Sequence, residues 1–197
     1  MKSTQLPRSM KMVLGALFAA VFGLVSNIPG LAALQLVPGV PFTLQVLVIA
    51  LMGLALGWRW GLLSFGTVLL LTFCGVPMMS GGRAAAALIG PTCGYIYGWV
   101  FLLLLLGLYT DCGKNKKPAA RKRLYFPVVT ALGLVGMPLC YACGAAVLSL
   151  QSGQGLGRVP ALWAASLVYL PPDLLKILLA AAIARAIQSH PAFKTSM

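Results

Sequence analysis

The sequence predicts an all-α integral membrane protein, a bundle of six transmembrane helices with both termini on the cytoplasmic side. Three observations predict it. Of the 197 residues, 60% are hydrophobic and only 9% charged, too few polar side chains to give a soluble domain of this length a wet surface. The apolar residues arrive in blocks that approach or exceed the roughly 20 helical residues needed to cross the hydrocarbon core. The cations, finally, fall almost wholly on one side of those blocks. The runs lie at 12–28, 42–56, 60–76, 84–110, 124–150 and 160–187. With six spans and an internal N-terminus, the cytoplasmic side holds Lys2, Arg8, Lys11, Arg59, Lys114, Lys116, Lys117, Arg121, Lys122, Arg123, Arg185 and Lys194. The outer loops hold only Arg83 and Arg158, and Lys176 lies inside the sixth span. The positive-inside rule asks for this asymmetry, and five or seven spans would spoil it. The net charge of +13 is therefore a topology signal rather than a nucleic-acid footprint. The whole chain, 1–197, is expected to be a single transmembrane domain.

The first run follows Lys2, Arg8 and Lys11, as a signal peptide's apolar core would. It lacks a small-x-small cleavage site followed by a polar mature region, so a retained helix is expected. Gly15, Ala19 and Gly23 recur at every fourth position with Ala16 and Ala20 beside them. Small residues at this spacing let another helix come close, whether a partner's or one of the bundle's own. The second and third runs are short and separated only by the turn at 57–59, which leaves a merged or re-entrant hairpin open beside two separate spans. Between the fourth and fifth runs lies the basic loop 114–123, read as an anchor beside anionic headgroups. Asp111 adjoins it, and a solvated ion pair is the ordinary expectation there. Cys74, Cys93, Cys112, Cys140 and Cys143 are odd in number, and the C-x-x-C at 140–143 sits within an apolar span. They read as small packing residues, not as a redox or zinc motif.

Helix-breaking residues concentrate at the outer side. Asn27-Ile28-Pro29-Gly30 and Pro38-Gly39-Val40-Pro41 mark the first loop, Gly75-Val76-Pro77 and Ser80-Gly81-Gly82-Arg83 the second. Gly90-Pro91-Thr92 interrupts the fourth run and Pro171-Pro172-Asp173 the sixth. Irregular backbone at membrane depth must be buried in protein or line a cavity, because lipid offers its N–H and C=O groups no partners. Breaks in several segments at one end predict a site closed by loops and open outward.

The chain has two acids in all. Asp173 stands in the sixth span with Lys176 three residues on, so the two share a helix face. Ionisable groups at such depth are costly and mark a ligand or ion path, or else an ion pair that holds helices together. Asp offers acceptors and Lys donors, a match for a ligand with a carbonyl beside amide-like N–H groups, such as a cyclic urea. Arg83 can clamp a carboxylate through its planar fork. Tyr95, Thr43, Gln45 and Thr92 can add hydrogen bonds, and Phe42 or Trp163 apolar cover. Catalysis has little to draw on: Glu is absent, the lone His190 lies near the C-terminus, and no acid pair, nucleophile set or metal cluster assembles. No cofactor is implied. No G-x-x-x-x-G-K-[ST] occurs, so ATP hydrolysis would need partner chains.

The motif order resembles the BioY family, the biotin-specific substrate-binding (S) components of energy-coupling-factor (ECF) transporters. The matching segments are Val40-Pro41-Phe42-Thr43-Leu44-Gln45, Gly75-Val76-Pro77 with Ser80-Gly81-Gly82, Gly90-Pro91-Thr92-x-Gly94-Tyr95, and Pro172-Asp173-x-x-Lys176. The stretch after Gly82 is poorer in glycine than the family pattern. The resemblance implies a six-helix S-component fold in the bacterial cytoplasmic (inner) membrane. It implies a biotin pocket near the outer face, with Asp173 and Lys176 on the ureido ring and Arg83, Tyr95, Thr43, Gln45, Gly81 and Gly82 as further ligand-binding positions. Ala16 and Ala20 look like the alanine motif by which S components dock on a transmembrane coupling subunit that works with two ATP-binding-cassette (ABC) ATPases. Action without such a module, alone or as a homo-oligomer, is the other arrangement. A self-sufficient carrier using Asp173 as a proton site is the alternative function, and an integral-membrane enzyme a more remote one.

Overall fold

The computed structural model describes residues 7–28, 43–79, 83–112, 118–153 and 155–189, with backbone alone at 118–123. The described chain is almost wholly helical. In order it forms α1 (Arg8–Ser26), α2 (Gln45–Leu51), α3 (Trp58–Phe73), α4 (Ala86–Ile89), α5 (Cys93–Cys112), α6 (Pro118–Gln151), α7 (Val159–Ser166) and α8 (Leu170–Ser189). Four segments are long and apolar enough to cross a membrane: Arg8–Ser26, Cys93–Cys112, Leu124–Gln151 and Leu156–Ser189. Two shorter apolar helices, Gln45–Leu56 and Trp58–Phe73, pack among them. The last long segment is not one smooth rod, since α7 and α8 meet through a 3-10 turn at Leu167–Tyr169. Likewise the apolar run at 84–110 is divided, α4 and α5 being separated by Gly90–Thr92, because Pro91 removes a backbone donor where the helix would need one.

α2 is apolar on all sides, and a helix of that kind belongs in the middle of a bundle. It sits there: Val48, Ile49, Ala50 and Met52 have no exposed surface, and α1, α5 and α8 surround it. Beyond α2 the helix continues through Met52–Leu56, where it widens into a π turn. Side chains from two neighbours approach the Leu54 carbonyl there: Gln188 Nε2 of α8 donates to it at 2.8 Å, and Thr110 Oγ1 of α5, which is 3.0 Å from the Leu106 carbonyl of its own helix, lies 3.2 Å away. Gly57, with φ 85°, then reverses the chain into α3. That conformation favours glycine, and the Asp111 carboxylate occupies the space a Cβ would take. The carboxylate accepts the Trp58 N–H at 3.1 Å, so Asp111 is bound to the first turn of α3, where a negative charge meets the positive end of the helix dipole. Asp111, expected to be an ion-pair residue beside the basic loop, thus also joins α5 to the head of α3.

The closest seam runs between α5 and α6. A Cβ at Gly98 would come within 2.8 Å of the Cys140 Cα, and one at Gly94 would strike the Cys143 carbonyl oxygen. From α6, Gly144 lies directly under the Tyr95 ring. Small residues four apart on both helices thus bring the backbones together, a packing suited to lipid, where helices have no hydrophobic drive to associate. Phe22, Phe65 and Trp99 join α1, α3 and α5 edge to face, with centroids 5.9–6.4 Å apart.

Candidate functional site

A cavity opens at one end of the bundle, where α1 and α3 finish and α2, α5 and α8 begin. Its volume is about 80 Å³, on a scale where one water needs roughly 10–15 Å³, so there is room for a small guest. Residues at or beside four of the helix breaks contribute to its wall: Thr43 and Gln45 at the head of α2, Met79 and Arg83 beyond α3, Thr92 before α5, and Tyr169 just ahead of α8. Trp99 and Ile96 of α5 and Met137, Cys140 and Tyr141 of α6 complete it on the apolar side.

Asp173 and Lys176 line this cavity, 5% and 7% exposed. Pro171 and Pro172 lie in the first turn of α8, where missing N–H donors cost nothing, and Asp173 follows in that same turn. The Lys176 ammonium bonds Asp173 Oδ1 at 2.8 Å and the Thr43 carbonyl at 2.7 Å. The Tyr141 hydroxyl donates to Asp173 Oδ2 at 2.7 Å. Each carboxylate oxygen thus accepts one charge-assisted bond from the protein and retains a further acceptor position. The pair is held by three elements at once, α8, α6 and the segment before α2, and still borders open space. Among the described residues, no buried side-chain nitrogen or oxygen lacks a partner. The protein's own contacts thus orient the pair without a guest.

The other sequence-expected residues fall as follows. Tyr95 is buried, and its hydroxyl lies 2.9 Å from Ser166 Oγ. Ser166 gives its single proton to the Leu162 carbonyl, so Tyr95 is the donor in that pair and its oxygen can still accept. Gln45 is buried and donates to Ser26 Oγ at 2.8 Å. Thr43 and Thr92 are half-buried at the wall, and Arg83 is exposed at the rim, its carbonyl accepting the Met79 N–H at 3.1 Å. Gly81, Gly82 and Phe42 lie outside the described residues. Trp163 is not part of the wall; its indole N–H is engaged by the Pro138 carbonyl at 2.9 Å. Tyr141, Trp99 and Met137 take positions that sequence reasoning missed. A tyrosine inside an otherwise apolar span was the available signal, since its hydroxyl must find a partner there.

Ala16 and Ala20 are exposed on α1, whereas Gly15 and Ala19 are buried against the bundle. Among the described residues, no three His, Cys, Asp or Glu side chains cluster as a metal site requires.

Comparison with known proteins points one way. Residues 1–192 match the family model described as the BioY family. The chain is 32% identical to a protein of Rhizobium etli named biotin transporter BioY, over 89% of this chain and 91% of that one. A protein of the same name from Rhodobacter capsulatus is 33% identical, covering 88% and 90%. Among solved structures, the S-component for biotin from an ECF-type ABC transporter superposes with a TM-score of 0.78 at 27% identity, covering 96% of this chain and 95% of that one.

Proposed function

The chain belongs to the BioY family, and from that footing we propose that it captures biotin in the cavity beside Asp173 and Lys176 and mediates its uptake across the membrane. The family is one of transporters, not of enzymes. A single observation carries the ligand reading: a buried, pre-oriented ion pair borders a cavity with an otherwise largely apolar wall. Biotin presents a cyclic urea, a thioether ring and a carboxylate on a flexible chain. The two urea N–H groups meet the remaining acceptor positions of Asp173, and its oxygen takes a Lys176 donor in exchange for one present contact. Trp99, Tyr169 and Met137 cover the apolar ring faces, Thr43, Gln45 and Tyr95 adjust the polar edge, and Arg83 at the rim meets the carboxylate. Gly81 and Gly82 belong to the same outer loop and are assigned to the ligand on the family resemblance.

The two short helices, Gln45–Leu56 and Trp58–Phe73, count as the second and third of six spans. Both termini then lie in the cytoplasm, the cavity faces outward, and 1–197 is one transmembrane domain of the bacterial inner membrane. The cation distribution supports this orientation. A site tight enough for a scarce vitamin releases slowly, and the chain holds no ATP-binding motif to drive release. Coupling to an ECF transmembrane subunit and ABC ATPases, docked on Ala16 and Ala20, meets that need.

The test is ligand binding to the purified protein with biotin, dethiobiotin, riboflavin and thiamine. Biotin is expected to bind, and riboflavin and thiamine are not. No biotin binding, or a preference for either other vitamin, overturns the reading.

A further inference from the structure

α3 ends in a motif that sets the direction of the following chain. Gly75, at φ 95°, donates its N–H to the Thr72 carbonyl, and the Val76 N–H returns to Leu71 at 3.0 Å. This paired closure is a Schellman turn. It sends Pro77, Met78 and Met79 across to the far end of α1. Met78 is buried there, its sulfur lying 2.8 Å from where a Cβ on Gly23 would stand, so the glycine forms a socket for the side chain. Asn27, the first residue beyond α1, donates its amide Nδ2 to two carbonyls, Gly23 at 2.8 Å and Pro77 at 2.7 Å. Both partners only accept, which fixes the amide nitrogen toward them. One side chain therefore caps α1 and clips the loop. The next residue, Met79, lines the cavity and pairs with Arg83 at its rim. Gln45, also on the wall, joins Ser26 of the same last turn of α1 and reaches the Met79 sulfur at 3.8 Å.

We propose that Asn27 and the Gly23–Met78 socket form a latch that anchors the Pro77–Met79 segment to the end of α1 and so holds Met79 at the cavity wall, and that this latch sets the rate at which bound ligand leaves. Neither Asn27 nor Met78 lines the cavity, so they act by positioning Met79 and Arg83. The proposal rests on biotin being the ligand. A cap that served only helix stability would leave ligand exchange alone, whereas a latch raises the barrier to entry and exit together.

The experiment is a chase of radiolabelled biotin from the purified full-length protein by excess unlabelled biotin, with association rates measured alongside. Asn27→Asp keeps the shape but removes both donors, and Met78→Ala empties the socket. Each is expected to speed dissociation at least about threefold and to speed association as well, so that Kd rises by less than the off-rate. Met78→Leu, which refills the socket, is expected to stay close to wild type. Wild-type exchange rates in both Asn27→Asp and Met78→Ala overturn the latch, and so does faster release with unchanged association. Should Asn27→Asp not purify as a monodisperse protein, Met78→Ala decides alone. Failure of the wild-type chain to retain biotin strikes the ligand reading instead, and is distinguishable for that reason.

Discussion

The Tyr141 hydroxyl stands 2.7 Å from Asp173 Oδ2, joining α6 to α8 across 32 residues of sequence. Lys176 neutralises the carboxylate through its other oxygen, and the tyrosine fixes the plane in which the remaining lone pairs point. The guest meets an acceptor whose direction is already set, so less ordering remains to be done on binding.

Removing that proton tests the point. Tyr141→Phe keeps the ring and deletes one hydrogen bond to a charged group, a contact worth about 1.5–3 kcal/mol. Biotin affinity is expected to fall roughly tenfold or more, measured by titration calorimetry on the purified protein. A variant that binds like wild type means the carboxylate is oriented well enough by Lys176 alone.

Asp173→Asn and Lys176→Ala are each expected to weaken biotin binding at least about tenfold. Their effects should not add, because each partner holds the other in place. In a double-mutant cycle the combined variant loses clearly less than the sum of the two single losses. Additive losses would point to two independent contacts; unchanged affinity in both single variants, with the fold intact, removes the proposed site.

Why were these two residues visible in the sequence when Tyr141 was not? An acid and a lysine three apart in an apolar span are costly enough to mark a ligand or ion path, or an ion pair between helices, and the breaks at Pro41, Pro77, Pro91 and Pro171 tell which end of the bundle is irregular. Tyr141 stands in a long helix with apolar residues all round, so its facing depends on how α6 turns against α8, a tertiary fact that local periodicity does not carry. The same holds for Trp99, whose ring is placed by Phe22 and Phe65 from two other helices. The division of the fourth apolar run was signalled by Gly90 and Pro91. For Asp111 the sequence offers only its loop neighbours, whereas one of its contacts, the Trp58 N–H, is 53 residues away. The small-residue pattern of α1 stands out in the sequence, whereas the tighter one at Gly94 and Gly98 is hidden by the bulky residues of α5 around it.

That seam gives a stability prediction with its own control. A methyl at Gly98 has nowhere to go, since Cys140 backbone and sulfur atoms lie within 2.9 Å of it. Gly98→Ala is expected to cost about 1–3 kcal/mol through overpacking. At Gly66, also helical, nothing lies within 4 Å of the added carbon, and Gly66→Ala should hold or raise stability by up to about 1 kcal/mol from helix propensity. Thermal unfolding of the two detergent-solubilised variants checks the contrast, and equal midpoints would refute it.

α1 separates folding from partnership along its two faces. Ala19 is 3% exposed, and the helix packs against α3 on that side; a leucine there is expected to destabilise the protein by about 1–3 kcal/mol. Ala16 and Ala20 are exposed among Met12, Val13, Leu17 and Leu24, a surface that faces lipid or a second helix. Leucine at either site keeps helix propensity nearly unchanged and touches nothing in the bundle. Ala16→Leu and Ala20→Leu should therefore bind biotin as the wild type does, yet lose uptake in cells that supply the coupling subunit and ATPases, because the bulk prevents close helix approach. Uptake at the wild-type rate in the double variant would show that the partner docks elsewhere on the chain, and loss of biotin binding in the purified variants would show that this face serves the fold itself.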